Sequence, residues 1–179
     1  RGFYNDTKLP NSGPVPPKVG AETSYTIHWS IANTTNDLDQ VQVVSSLPTG
    51  VKWIGKTDPS TESISFNSRT NQIVWNVGSV SSGTGTLKPI REVAFQVSVV
   101  PQSAQVNEAV TLLGESALSA HDLFTGETMQ VKGAQKTTIL PEDTSLPAGA
   151  YRVVNCCVLW VLRLFWEIRI TCGCVPGRI

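Results

Sequence analysis

The stretch from Glu22 to Trp53, ETSYTIHWSIANTTNDLDQVQVVSSLPTGVKW, constrains the fold more than any other part of the chain. Its first half alternates strictly, with Tyr25, Ile27, Trp29 and Ile31 on one side and Ser24, Thr26, His28 and Ser30 on the other. That period of two is the mark of a strand with one face in a core. Asn33 to Asp37 supplies polar, turn-forming side chains, and then Val41, Val43 and Leu47 resume an apolar face opposite Gln40, Gln42 and Ser46. Two strands joined by a loop are expected here.

The same grammar repeats down the chain. Leu47-Pro-Thr-Gly50 reads as a tight turn, Val51 and Trp53 as a short strand, and Lys56 to Thr61 as a loop. Ile64 and Phe66, then Ile73, Trp75 and Val77, flank the polar turn Asn67 to Asn71, which predicts a hairpin. Gly78 to Lys88 is Ser/Gly/Thr-rich and reads as a surface loop. Val93, Phe95, Val97 and Val99 alternate with Ala94, Gln96 and Ser98 up to Pro101. Val110 and Leu112 begin a further strand, Leu118 and Ala120 run into the turn Asp122 to Gly126, Met129 and Val131 return, and Thr137 to Leu140 forms a last strand. No apolar pattern at helical spacing persists over three turns before residue 150, so the chain is predicted to be an all-β sandwich of about seven to eight strands. Trp29, Trp53, Trp75 and Phe95 are its expected core, each contributing about 1.5–3 kcal/mol on burial.

The ends differ from the middle. Residues 1–20 contain Pro10, Pro14, Pro16 and Pro17, and proline has no N–H to donate to a central strand, so this lead-in is predicted to be an edge strand or a linker. Phe3 and Tyr4 are candidates to pack on the sandwich end or to continue a preceding domain. The sandwich is assigned to residues 21–145. Residues 146–179 form an apolar, Cys/Trp-rich tail with the character of a terminus translated in a wrong frame or past a stop, and it is expected to be irregular or briefly helical. Its charge-free run, Cys156 to Leu162, is far short of the roughly twenty residues that cross a membrane. All four cysteines, Cys156, Cys157, Cys172 and Cys174, lie in the tail, so no disulfide framework supports the body. Their spacing does not match a structural zinc site.

With 179 residues, one domain is expected. The formal charge is zero, but residues 1–150 carry 10 Lys/Arg against 13 Asp/Glu, while residues 151–179 carry four Arg against Glu167. No basic patch interleaved with aromatics is present, which argues against nucleic acid as a partner.

Chemistry-bearing residues are few. His28 falls on the polar face of its strand and is read as solvent-exposed, with no second His or Cys as a catalytic partner. His121-Asp122 are adjacent, so in a strand they point to opposite faces, and Asp122 is read as a turn former. Asp37 and Asp39 are read as solvated loop carboxylates, because no calcium-loop pattern surrounds them. Trp29, Trp53 and Trp75 would stack sugars only if they faced outward, and their phase with Ile and Val places them inside. Asn5-Asp-Thr7 and Asn33-Thr-Thr35 match the N-glycosylation pattern. No catalytic motif for a nucleophile elbow, a zinc protease or a phosphate loop occurs. The chain is therefore expected not to be an enzyme, with no catalytic, cofactor or metal residues and no cofactor.

YTIHWSIANTTNDLDQVQVVSSLPTGVKW, with its Y-T-I, N-T and L-P-x-G-V elements, resembles the conserved-repeat domain of unknown function of bacterial and archaeal cell-surface proteins. IVWNVGSVSSGTG followed by REVAFQVSVVP is similar to that family's W-x-x-G segment and next strand, and GPVPPKVGAET and LPEDTSLPAG look like its boundaries. The resemblance covers roughly residues 13–150. It implies an immunoglobulin-like sandwich in a secreted or envelope protein, acting as a structural or adhesion module. It also implies neighbouring domains of the same chain, and surface glycans or proteins, as partners. The alternatives are a carbohydrate-binding accessory module of a secreted enzyme and a surface domain anchored to the membrane by the tail.

Overall fold

A computed structural model describes residues 1–155 and, by backbone alone, Leu159–Val161 and Ile170–Cys172. The strands are β1 (Gly2–Phe3), β2 (Thr23–Ile31), β3 (Leu38–Ser46), β4 (Val51–Asp58), β5 (Ser63–Asn67), β6 (Gln72–Val80), β7 (Arg91–Val99), β8 (Thr111–Leu113), β9 (Ser116–Asp122), β10 (Thr128–Gly133) and β11 (Lys136–Thr137), followed by β12 (Leu159–Val161) and β13 (Ile170–Cys172). One sheet has the order β1-β2-β7-β4, the other β10-β9-β3-β6-β5. β8 pairs with β11, and β12 with β13. All these pairings are antiparallel.

The fold is the expected all-β, immunoglobulin-like sandwich, with a four-stranded sheet facing one that the β5–β6 hairpin enlarges to five strands. Nine strands form the two sheets, more than the seven or eight anticipated. The alternation explains the packing directly. Tyr25, Ile27 and Trp29 from β2 and Val93, Phe95 and Val97 from β7 point inward and are buried, and Val41, Val43, Ile73 and Trp75 meet them from the other sheet. Trp29 stacks on Trp75 across the core at 6.4 Å and meets Phe95 edge to face at 4.9 Å. Trp53 is half-buried, stacked on Phe66 at 6.0 Å and tilted against Phe95. The indole N–H of Trp75 donates to Glu62, so the largest core side chain leaves no polar atom unpaired.

Several boundaries differ from the sequence reading. β4 runs on through Lys56 to Asp58, because a register shift between Trp53 and Thr57, with Gly55 at positive φ, carries the strand past its apolar part. β6 continues through Gly78 to Val80, where Val80 is buried, so the surface loop starts only at Ser81. The strand expected over Thr137 to Leu140 is instead Lys136–Thr137, with Leu140 buried beyond it. Of the tail, residues 146–155, with Ala150 and Val153 buried, and the β12–β13 ladder, which carries Cys172, are described, and the expectations for the remaining residues and cysteines lie outside the described residues.

Replacing Phe95 with Ala should cost about 3–5 kcal/mol in denaturant unfolding, because the ring is fully buried against Trp29 and Trp53. Val131→Ala, on the exposed β10, should stay within about 0.5 kcal/mol.

Candidate functional site

The outer face of the first sheet departs most from a simple reading of alternation. Ser24, Thr26 and His28 of β2 and Gln96 and Ser98 of β7 occupy the polar phase of their strands, yet all are buried. The proline-rich lead-in covers them. It forms the two-residue edge strand β1 beside β2 and then crosses the outer face of the sheet as a strap. Proline suits such a path, since its missing N–H leaves no donor to satisfy.

Ser24, Thr26, His28 and Gln96 find partners in the strap, and Ser98 donates to Glu22 just beyond it. The Gln96 amide donates to the Leu9 and Pro10 carbonyls and to Asn11 Oδ1. Thr26 donates to the Leu9 carbonyl, and the Asn11 amide donates to Thr26 Oγ1 and to the Tyr4 carbonyl. The Ser12 N–H donates to Ser24 Oγ while the Ser24 N–H returns a bond to the Ser12 carbonyl. Among the described residues, no buried side-chain nitrogen or oxygen lacks a partner. Gly13 makes the close approach possible. Its φ is +102°, and a Cβ there would lie 2.3 Å from the Glu22 carbonyl oxygen.

At the β1 end of the strap lies a cluster of charges. His28 Nε2 is 2.6 Å from Asp6 Oδ2 and Nδ1 is 3.1 Å from Glu92 Oε1, with the His28 and Asp6 side chains only 8% and 6% exposed. The Phe3 ring meets the imidazole edge to face at 5.2 Å. Arg1 Nη2 pairs with Glu92 Oε2 at 2.6 Å, and Lys8 Nζ lies 3.4 Å from Asp58 and 3.8 Å from Glu92. Asp6 Oδ1 accepts the N–H groups of Lys8 and Leu9, which turns the strap locally. Burial opposes ionisation of Asp6, but the Leu9 N–H, the His28 ring and the Lys8 N–H outweigh it and hold the carboxyl below the usual aspartate range. Burial likewise opposes ionisation of Glu92, and hydrogen bonding and charge from His28, then the charges of Arg1 and Lys8, bring its carboxyl down. Farther along, Asp143 Oδ2 accepts the Tyr4 and Asn5 N–H groups. Against the cost of burial, these bonds and the Ser145 hydroxyl keep that carboxyl low as well.

A carboxylate thus occupies each ring nitrogen of His28, and the strap lies over the group. The expectation of an exposed His28 is thus corrected: the strap, which the strand pattern alone does not place, covers that face. His121 and Asp122 are not brought together as a dyad. Asp122 Oδ1 accepts the Phe124 and Thr125 N–H groups and Oδ2 accepts from Asn36, which is the turn-forming role expected of it. Asp37 caps Ser82, and Asp39 accepts from Gln40 and Ser79. Among the described residues no three His, Cys, Asp or Glu side chains form a metal-binding group. Trp29 and Trp75 are core residues and build no sugar platform. Asn33 is buried with its amide donating to the Asn36 and Val80 carbonyls, so that sequon is engaged in the fold, whereas Asn5 is exposed. The sequence signals for this charge cluster are Asp6 and Lys8 within a proline-rich lead-in. Asp6 meets His28, 22 residues on, and Lys8 meets Glu92 on β7, and periodicity links neither pair.

No family model and no curated protein matches the chain. Among solved structures, it is similar to the major pilin subunit BcpA of Bacillus cereus, at 10% identity and a TM-score of 0.45 over 69% of this chain and 36% of that one. Domains D2 and D3 of the major pilin SpaD of Corynebacterium diphtheriae align at 12% identity and a TM-score of 0.37, over 68% of this chain and 47% of that one. A DUF4466 family protein of Parabacteroides merdae aligns at 15% identity and a TM-score of 0.26, over 76% and 43%. The chain spans less than half the length of each. At these scores the likenesses lend no weight to a functional reading.

Because the Asp6, Glu92 and Asp143 carboxyls are depressed in the fold, their stabilisation is present above the usual carboxylate range of about pH 4 and is lost as pH falls through the lowered values. Urea unfolding from about pH 6 down to pH 2 should therefore show falling stability. Asp6→Asn should start less stable and lose less over the same range. Gly13→Ala should destabilise the strap by about 1–3 kcal/mol, seen as faster proteolysis near residue 13.

Proposed function

We propose that the chain is a non-catalytic structural or adhesion module of a bacterial cell-surface or secreted protein. On this reading it works outside the cell or in the envelope, alongside neighbouring domains of the same chain, with surface glycans or proteins as further partners. The observation that carries the reading is how the polypeptide is tied across the body. β1 runs antiparallel to β2, so the strap begins partway toward the end where β2 finishes at Ile31. Residues 153 and 154 are held near the opposite end, where β2 begins: Val154 exchanges backbone hydrogen bonds with Pro17 and Val19, and Val153 with Asn107 and Glu108. Tension between the two would act on strand pairing and on the buried strap together. That suits a module in a load-bearing chain, and it needs no reactive group.

Pulling the whole chain from residue 1 and residue 154 in a force experiment should give one cooperative rupture of strap and body. Peeling of the strap at low force before the sandwich yields would contradict the reading. Probing a glycan and surface-protein array with the same chain separates adhesion from spacing through saturable, selective binding. Turnover of any arrayed ligand would overturn the non-catalytic reading.

A further inference from the structure

The outer edges of the two sheets are β1, β4, β5 and β10, and three of them offer little to a further strand. β1 has two residues. β4 is interrupted by the register shift between Trp53 and Thr57 and is followed at once by Pro59. β5 turns Ile64 and Phe66 onto the core. β10 is different. It pairs with β9 through all six residues without a bulge, contains no proline, and is exposed along its whole length. Among the described residues, no loop or strap backbone group bonds to its outer side. Natural sheets usually protect such an edge, because its unpaired N–H and C=O groups are a template for another strand.

The side chains on this edge are apolar on the wrong side for a solvated strand. Met129 is the register partner of Ala120 and Val131 that of Leu118, and directly opposed residues share a face. Ala120 is buried and Leu118 packs on the core, so Met129 and Val131 belong to the core-facing side of the sheet. They are nevertheless 41% and 54% exposed. The facing sheet does not reach them. Trp53 stacked on Phe66 sets β4 opposite β5, which leaves β10 on the side where the facing sheet ends in the two-residue β1. Val131 lines, with Trp29, Ile31, Val43 and Leu118, an apolar cleft of about 210 Å³, so the sheets do not close on each other here.

We propose that the β10 edge is the site at which a second copy of this chain pairs, antiparallel and about a two-fold axis at Gln130, joining the two larger sheets into one. The strand is complementary to itself in that register. Met129 faces the partner's Val131, Val131 faces the partner's Met129, and the four side chains form one apolar cluster on the core-facing side. Thr128 faces the partner's Lys132, and the two Lys132 residues stand four pairs apart, roughly 13 Å, so no like charges are opposed. A shift of two residues one way sets Val131 against the partner's Glu127, and the other way sets Met129 against the partner's Gly133. A shift of one turns the apolar face of one strand onto the polar face of the other. A two-fold pairing satisfies the same contacts twice, which an unrelated strand does not.

Sedimentation equilibrium of the whole chain under reducing conditions, from micromolar to millimolar concentration, should show a reversible monomer–dimer equilibrium. Each substitution occurs twice in a homodimer, so Met129→Glu alone or Val131→Lys alone should weaken dimerisation by about tenfold or more. Mixing the two variants should restore it. The introduced carboxylate and ammonium then face each other at one pair, and the unaltered Val131 and Met129 meet at the other. In the unaltered chain, amide protection in β10 should rise with concentration while that in β4 stays constant. A chain that is monomeric throughout would overturn the proposal. So would a dimer that both variants leave intact, whose contact lies elsewhere, or a mixture no tighter than either variant alone. β10 amides protected to the same degree at every concentration would place another segment of the same chain on the edge and overturn it too. The concentration series uses the unaltered chain, so the test stands even if a variant folds poorly.

Discussion

The structure depends on one constraint: polar side chains on the outer face of the first sheet have been taken out of water and must be satisfied by something other than water. An unpaired buried amide or hydroxyl costs about 1–3 kcal/mol, more than a typical hydrogen bond contributes. Gln96, Thr26, Ser24 and His28 would together make this face unfavourable if it were covered by an apolar layer. A proline-rich strap is a suitable cover, because it offers carbonyl acceptors with few donors of its own to place. Gln96, which donates to two strap carbonyls and to Asn11, is the centre of that exchange.

The molecule consequently has two interiors of opposite chemistry on the two faces of β2 and β7. One is a dry aromatic and aliphatic core between the sheets, held by area and by ring geometry. The other is a thin polar seam held by hydrogen bonds and, at its β1 end, by paired charges. The first tolerates changes of pH because nothing in it titrates near neutrality, and burial pushes the Tyr25 hydroxyl upward, away from ionisation. The second holds the Asp6 and Glu92 carboxyls, which their surroundings keep below the usual carboxylate range.

Much of the first interior is legible in sequence. Strict alternation at Tyr25, Ile27, Trp29 and Ile31 and at Val93, Phe95, Val97 and Val99 identifies both strands and the face each turns inward. The hairpins β5–β6 and β9–β10 follow from their turn residues. The second interior is not legible, for a physical reason. Period-two reasoning sorts residues into apolar and polar faces and equates polar with solvated, which misplaced His28. What buries Ser24, Thr26 and His28 is a distant segment with no periodicity, recognisable only by its prolines. Its register rests on individual contacts such as Asp6 with His28 and Gly13 against Glu22. Strand ends were missed where a bulge or a glycine carries the backbone on after the apolar pattern stops, as at Gly55 and Gly78.

The side-chain amide of Gln96 tests most directly whether the strap is an integral layer. By NMR on the intact chain, its two N–H protons should exchange slowly and show nuclear Overhauser contacts to Pro10 and Asn11, unlike the exposed Gln72 and Gln130 amides. A Gln96 amide that exchanges as fast as those two, with no contact to residues 9–11, would contradict the account at its foundation.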